Sequence, residues 1–220
     1  MVKPVCDVVL PCRDEAAALP SLLESLPPGF RPIVVDNGSR DDTAAVATAS
    51  GATVVHEDVP GYGAAVHAGV AASTAPYLAV ADGDGSFDLA ELAGLLALVA
   101  NGSATMAVGR RRPTERGVWP WHARAANALV AWWLRATTPL TVHDIAPMRV
   151  CRRCDLLDLG VRDRGFGYPL ELLLRAARER WRVVELDVHY RARAEGTRSK
   201  VSGSARGTLR AARDFARVMT

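Results

Sequence analysis

The chain has 220 residues, 49% of them hydrophobic and 23% charged, with 27 basic against 24 acidic side chains and a formal net charge of +3. This composition excludes a disordered chain, and the length suits one large domain. No apolar run approaches the roughly 18–20 residues needed to span a bilayer. Lys3, Asp7 and Arg13 interrupt the stretch where a secretory signal would need its apolar core, so a cytoplasmic chain is expected.

In chain order, Val5–Leu10 reads as a strand and Glu15–Leu26 as a helix closed by Pro27, Pro28 and Gly29. Residues 32–35 form the next strand, and Asp41–Thr43 can cap a helix reaching Ala49. A third strand over 52–55 leads to a helix over 63–72, a fourth strand over 77–81 to a helix over 88–99, and a fifth strand covers 105–108. Such alternation predicts a mostly parallel sheet with helices on both faces. Beyond Arg110 it breaks down: helices are expected over 120–136, 169–180 and 204–218, with a late strand over 182–190. No linker divides the chain.

Ligands of open parallel sheets bind beyond the carboxyl ends of the strands. Here those ends carry Pro11, Arg13, Asp14 and Glu15, then Asp36–Arg40, then His56–Asp58 with Gly61–Gly63, then Asp82–Ser86. One carboxylate-rich edge is therefore predicted to be a single cleft. Asp82 and Asp84 follow a buried strand directly, with Gly83 and Gly85 permitting tight bends. Two carboxylates this close repel unless a cation separates them, and Mg²⁺ or Mn²⁺ suits oxygen ligands beside substrate phosphates. An ordinary polar turn is the other reading.

Several classes are disfavoured. There is no Walker A loop, no G-x-G-x-x-G opening the first helix and no G-x-S-x-G elbow. Four cysteines are few for a disulfide scaffold, and the Cys151–Cys154 pair lacks two further ligands at zinc-site spacing. Only Lys3 and Lys200 are lysine; the arginine excess fits either genomic base composition or phosphate recognition. A nucleic-acid partner is not expected, because an acidic cleft repels phosphate.

The ordered motifs resemble family 2 glycosyltransferases. Val8–Pro11 with Asp14-Glu15 is similar to their opening strand and P-x-x-N-E. Val34–Thr43 is similar to V-D-D-G-S-x-D-x-T, and Gly61–Gly69 to G-x-G-x-A-x-x-x-G. Asp82-Gly83-Asp84 stands at their D-x-D, 106–111 resembles V-x-G-S-R, and 198–203 resembles R-x-G-x-S-K. The nearest in style are the dolichyl- or polyprenyl-phosphate sugar synthases. Departures are Asp14 for Asn, Asn37 for Asp, Ser86 for Gln, and the absence of membrane-spanning C-terminal helices.

The resemblance implies a single GT-A domain over 1–220, with a nucleotide-sugar half (1–110) and an acceptor half (111–220). It implies inverting, metal-dependent transfer of a hexose from a UDP- or GDP-sugar, with Mg²⁺ or Mn²⁺ held by Asp82 and Asp84. Pro11, Arg13, Glu15, Asp36, Asn37, Gly63, Gly83 and Arg110 join those two aspartates in binding the donor, with Asp36 at the base. Arg198 and Lys200 would neutralise the diphosphate from a lid loop.

Asp144, in a segment resembling D-x-x-S-G-F-R, is a candidate base for a hydroxyl acceptor, or else holds the acceptor or an arginine. A phosphate acceptor needs no base. Polyprenyl phosphate is the expected acceptor, with a soluble hydroxyl acceptor as the alternative. A nucleotidyltransferase would favour a lysine-bearing glycine loop after the first strand, which Pro11–Glu15 lacks. Arg206, Arg210, Arg213 and Arg217 share a helical face, and Trp121, Trp132 and Trp133 share one helix; both helices suit either an anionic membrane surface or ordinary solvated and core positions. Peripheral association with the inner face of the membrane is therefore an expectation.

Overall fold

The computed structural model describes residues 3–194 and 205–219. The four expected N-terminal strands form within two residues of their predicted bounds: β1 (Cys6–Cys12), β2 (Phe30–Asp36), β3 (Thr53–His56) and β4 (Tyr77–Val80). They alternate with α1 (Leu19–Glu24), α2 (Thr43–Ala49), α3 (Tyr62–Ala72) and α4 (Leu92–Ala100), the last entered through a 3-10 turn at Leu89–Glu91.

Helix α1 is shorter than its sequence pattern. Asp14 takes a left-handed φ of 54°. The amides of Asp14, Glu15 and Ala16 then donate to Ser39 Oγ, Thr43 Oγ1 and Asp41 Oδ2 at 2.9–3.1 Å. These side chains bind the segment to the β2–α2 loop, so it cannot begin a helix there.

The second half is β5 (Met106–Pro113), α5 (Trp121–Thr137), β6 (Met148–Arg152), α6 (Arg153–Leu159), α7 (Tyr168–Arg178), β7 (Val183–Tyr190) and α8 (Ala205–Met219). Two findings correct the sequence expectation. Strand β5 continues five residues past Val108, so its three arginines lie on a strand. Strand β6 and helix α6 were not anticipated.

The seven strands are ordered β3-β2-β1-β4-β6-β5-β7. Strand β6 runs antiparallel to both β4 and β5, and the other pairs are parallel. The start of β6 therefore lies at the edge where the parallel strands end. One face of the sheet packs α3, α5, α6 and α7, and the other packs α1, α2 and α4. Helix α8 covers the first of these faces through Phe215, Val218 and Met219. Its apolar edge is thus largely occupied by the core.

At the opposite edge from the strand ends, Asp7 is fully buried at the start of β1. Arg31 approaches its carboxylate with a two-pronged fork at 2.8 Å, and the amides of Thr74 and Ala75 donate at 2.6 and 2.8 Å. Burial works to raise the Asp7 carboxyl, but these donors outweigh it and hold it below its ordinary value. The stabilisation is therefore full above the unfolded carboxylate range and is lost as pH falls through the depressed folded value. Arg31→Ala leaves the buried charge to two amides. Because Arg31 is partly exposed, the expected cost is discounted to about 2 kcal/mol, read from urea unfolding at pH 7. The difference between wild type and variant should shrink in acid.

Candidate active site

The register aligns the strand ends: Cys12 lies opposite Asp36, and Asp36 opposite His56. The amides of Asn37 and Glu57 continue these ladders to Cys12 O and Asp36 O. The loops at 11–15, 36–40, 57–61 and 82–86 consequently border one edge, as the sequence predicts.

Asp36 is half-buried; its Oδ1 accepts from the Ser39 amide at 3.0 Å, and His56 Nδ1 lies 3.4 Å from its Oδ2. Arg13 is exposed, Pro11 half-buried and Glu15 buried. Asn37 is engaged within the protein. Its Nδ2 donates to Glu57 O and Val59 O at 2.8 Å, and its Oδ1 accepts from the Gly61 amide at 2.9 Å. In this arrangement it clamps two loops together with every polar atom of its side chain.

Gly63 and Gly83 also meet protein. A Cβ on Gly63 would stand 2.4 Å from Asp163 O, and one on Gly83 would stand 2.3 Å from Cys12 Sγ. Both positions demand glycine for close packing.

The acidic pair sits in the β4–α4 loop. Asp84 Oδ1 accepts from the Ser86 amide at 3.0 Å and from the Ser86 hydroxyl at 2.5 Å. Its Oδ2 is ion-paired with the Arg193 guanidinium. Burial, and then the neighbouring Asp84 charge, push the Asp82 carboxyl up to about 6. Arg193, Arg111 and Arg149 oppose that rise. Two crowded carboxylates, one already drawing a cation from the protein, are a donor set suited to a hard divalent ion. Among the described residues there is no group of three or more His, Cys, Asp or Glu arranged to hold a metal, so further oxygens would have to come from ligand or solvent.

Arg193 was missed from sequence because it lies just outside the expected lid loop, 194–200, whose motif residues are Arg198 and Lys200. The chain leaving β7 crosses the aspartate loop, with Arg191 N donating to Ser86 O at 2.9 Å and Ala194 N to Asp84 O at 3.3 Å. The expected Arg198 and Lys200 lie outside the described residues.

Arg149, opposite Val80 and Val108 in the register, is 3% exposed. Its Nη2 donates to Ile145 O at 2.9 Å, while Nε and Nη1 are buried without a well-formed hydrogen bond.

On β5, alternation places Arg110 and Arg112 on one side and Arg111 on the other. Arg110 and Arg112 grip the two oxygens of Asp187 at 2.6 and 2.7 Å. Arg111 enters a two-pronged pair with Asp144 at 2.9 and 2.7 Å, and its own amide adds a third contact at 3.0 Å. Its guanidinium lies 4.0 Å from the centre of the Trp119 ring.

Asp144 is 1% exposed and also accepts from the Ala146 amide. Burial works to raise its carboxyl, yet the Arg111 fork and the amides hold it below the ordinary range. Glu185 fixes the backbone here, accepting from the amides of His143 and Asp144 at 2.6 and 3.0 Å. A hollow of about 590 Å³ opens beside this group, bordered by Arg110, Arg111, Trp119, Arg124 and Asp144.

This sheet, with one antiparallel strand inside it and an acidic pair at its ligand edge, is a GT-A fold. Glucosyl-3-phosphoglycerate synthase from Mycobacterium tuberculosis, solved with Mn²⁺, UDP and glucosyl-3-phosphoglycerate, superposes with a TM-score of 0.75 at 22% identity, covering 98% of this chain and 78% of that one.

The chain belongs to glycosyl transferase family 2, whose profile matches residues 7–152, and is a glycosyltransferase. An uncharacterized glycosyltransferase of M. tuberculosis is 56% identical over 213 residues, 97% of each chain. A dolichyl-phosphate hexose transferase of Haloferax volcanii is 31% identical over 195 residues, 87% of this chain and 85% of the relative.

Gly63→Ala tests packing at the start of α3. Overlap with a backbone carbonyl cannot be relieved by a rotamer change, so a loss of about 2 kcal/mol in denaturant unfolding is expected without any ligand present.

Proposed function

We propose that this enzyme moves a hexose from a nucleoside-diphosphate sugar to an acceptor bearing phosphate, with a lipid phosphate favoured. The observation that carries the reading is the acidic pair Asp82–Asp84 lying at the same strand edge as an arginine-lined hollow. The matched order of motifs supports a UDP- or GDP-sugar donor at residues 11–15, 36–40 and 82–86. The dolichyl-phosphate hexose transferase relative supports the lipid acceptor. Arginine suits phosphate because its planar fork donates two hydrogen bonds at once. A soluble phosphorylated acceptor is the second reading, favoured by the structural likeness to glucosyl-3-phosphoglycerate synthase.

A divalent ion held by Asp82 and Asp84 would supply charge stabilisation to the diphosphate leaving group. The remaining roles belong to the chain. Ser86 orients the Asp84 carboxylate. Arg193 neutralises Asp84 in the chain itself, and its guanidinium would stand beside a diphosphate bound at that carboxylate. Asp36 and the 57–61 loop, held by Asn37, border the nucleoside. Arg111 presents acceptor-side charge, with Asp144 holding its fork and Trp119 covering its face. We assign Asp144 this positioning role in place of the general base. Its buried, doubly engaged carboxylate suits an anchor, and an ionised phosphate acceptor needs no base.

Mn²⁺ binding followed by electron paramagnetic resonance, without and with UDP, tests the pair. Asp84→Ala should remove binding in both conditions. Arg193→Gln should tighten binding without nucleotide by about tenfold, the effect of removing a competing cation worth roughly 1.4 kcal/mol. A panel of nucleotide sugars and phosphate acceptors then identifies the reaction, and inactivity across the whole panel would overturn it.

Asp144→Asn separates anchor from base. An anchor role predicts that kcat/KM falls about tenfold or more through a higher acceptor KM, with the shape of the pH profile kept. Loss of the ascending limb would instead identify the base.

A further inference from the structure

We propose that the outer face of α5 is a docking surface for an anionic lipid bilayer, holding the arginine-lined hollow at the membrane. The inference deepens the lipid-phosphate reading above and rests on it for its purpose.

Trp121, Leu129 and Trp132 are 79%, 64% and 59% exposed. At roughly 100° per residue, positions 121, 129 and 132 fall within about 80° of one another around the helix. Ala125 and Ala128, also exposed, complete the stripe, while Val130 and Leu134 on the far side are buried. Among the described residues, the other large exposed apolar side chains are Val5, Val59, Leu157, Leu186 and Leu209, scattered along the chain. Isolated apolar residues are ordinary on a surface, whereas a contiguous stripe marks an interaction site.

The charge around the stripe selects the occupant. Arg124 and Arg135 are exposed along one edge of it. Of the six arginines from Arg110 to His143, Arg110, Arg111 and Arg112 are paired with Asp187 and Asp144, which leaves Arg116, Arg124 and Arg135 against one acid of that stretch, Glu115. Tryptophan beside arginine on an amphipathic helix suits the headgroup boundary of an anionic bilayer. The helix would lie on the bilayer: among the described residues no helix is long and apolar enough to cross a membrane.

The stripe is continuous with the site. Trp121, Arg124, Ala125 and Ala128 also border the 590 Å³ hollow. A phosphate on a lipid could therefore reach Arg111 while its hydrocarbon stays in the membrane. Helix α8 carries a comparable run of arginines, but its Phe215 and Val218 pack on the core.

The test is sedimentation of the full chain with vesicles of phosphatidylcholine, alone or mixed equally with phosphatidylglycerol. Wild type should pellet with the anionic vesicles and be released by about 0.5 M salt. Leu129→Ser/Trp132→Ser alters two exposed residues that do not border the 590 Å³ hollow. It should lower partition about tenfold or more while leaving circular dichroism and transfer to a soluble short-chain prenyl phosphate unchanged. Arg210→Gln/Arg213→Gln on α8 should retain binding.

Failure of wild type to pellet, or loss of binding in the α8 variant with the α5 variant unaffected, overturns the proposal. A dimer in gel filtration that Leu129→Ser/Trp132→Ser dissociates would assign the stripe to a second copy and also overturn it. Transfer to prenyl phosphate without vesicle binding overturns the docking surface and leaves the function standing. Vesicle binding without transfer to any prenyl phosphate supports the docking surface and overturns the lipid acceptor.

Discussion

Charge balance around Asp82 and Asp84 governs how this edge of the sheet is built. Two carboxylates separated by one glycine lie where surrounding protein limits their solvation, and that burial, followed by the neighbouring Asp84 charge, pushes Asp82 up to about 6. Such a pair persists only where positive charge is close. Three elements supply it: Arg111 from β5, Arg149 from β6 and Arg193 from the segment after β7. The strand order makes this possible. Placing β6 antiparallel between β4 and β5 brings its first residues to the edge where β4 and β5 end. Placing β7 parallel to β5 sends the following chain across the same edge.

The acceptor side uses a relay of buried pairs. Glu185 on β7 fixes the backbone at His143 and Asp144, Asp144 fixes the Arg111 fork, and Trp119 covers the guanidinium. A buried arginine paired in this way gains little net stability, because desolvation offsets much of the Coulombic attraction. Its return is orientation. A guanidinium held from two sides presents its charge to the adjoining hollow without having to reorganise when a ligand arrives.

The sequence made the first five strands legible because each is a short apolar run bounded by turn residues, the pattern of strands buried on both faces. It made the acidic edge legible for the same reason, since polar residues after such runs fall at one edge. Strand β6 was not legible: Met148–Arg152 carries two arginines in five residues, and burial of Arg149 follows from distant groups that no local pattern shows. Arg193 was hidden because its contact with Asp84 spans 109 residues. Helix α1 was overcalled because side chains on the β2–α2 loop hold the amides of its expected first turn. Gly63 and Gly83 show a different ambiguity. A glycine that lets a ligand approach and one that lets a neighbouring chain approach look alike in sequence, and the atoms a Cβ would meet here belong to Asp163 and Cys12.

Helices α5 and α8 make the same point at larger scale. Each combines arginines with apolar residues at helical spacing, and as sequences they suit the same surroundings. What separates them is the destination of their apolar side. Phe215, Val218 and Met219 of α8 lie against the core that α3 and α7 share, so that helix completes a layer. Helix α5 is apolar on two sides: Val130 and Leu134 face inward, and Trp121, Leu129 and Trp132 are left outward. A helix needs only one apolar stripe to pack on its sheet. The second stripe on α5 is left largely exposed by the fold, and it begins at the rim of the hollow that Arg111 and Asp144 border, so its reason is to be sought in what that hollow receives.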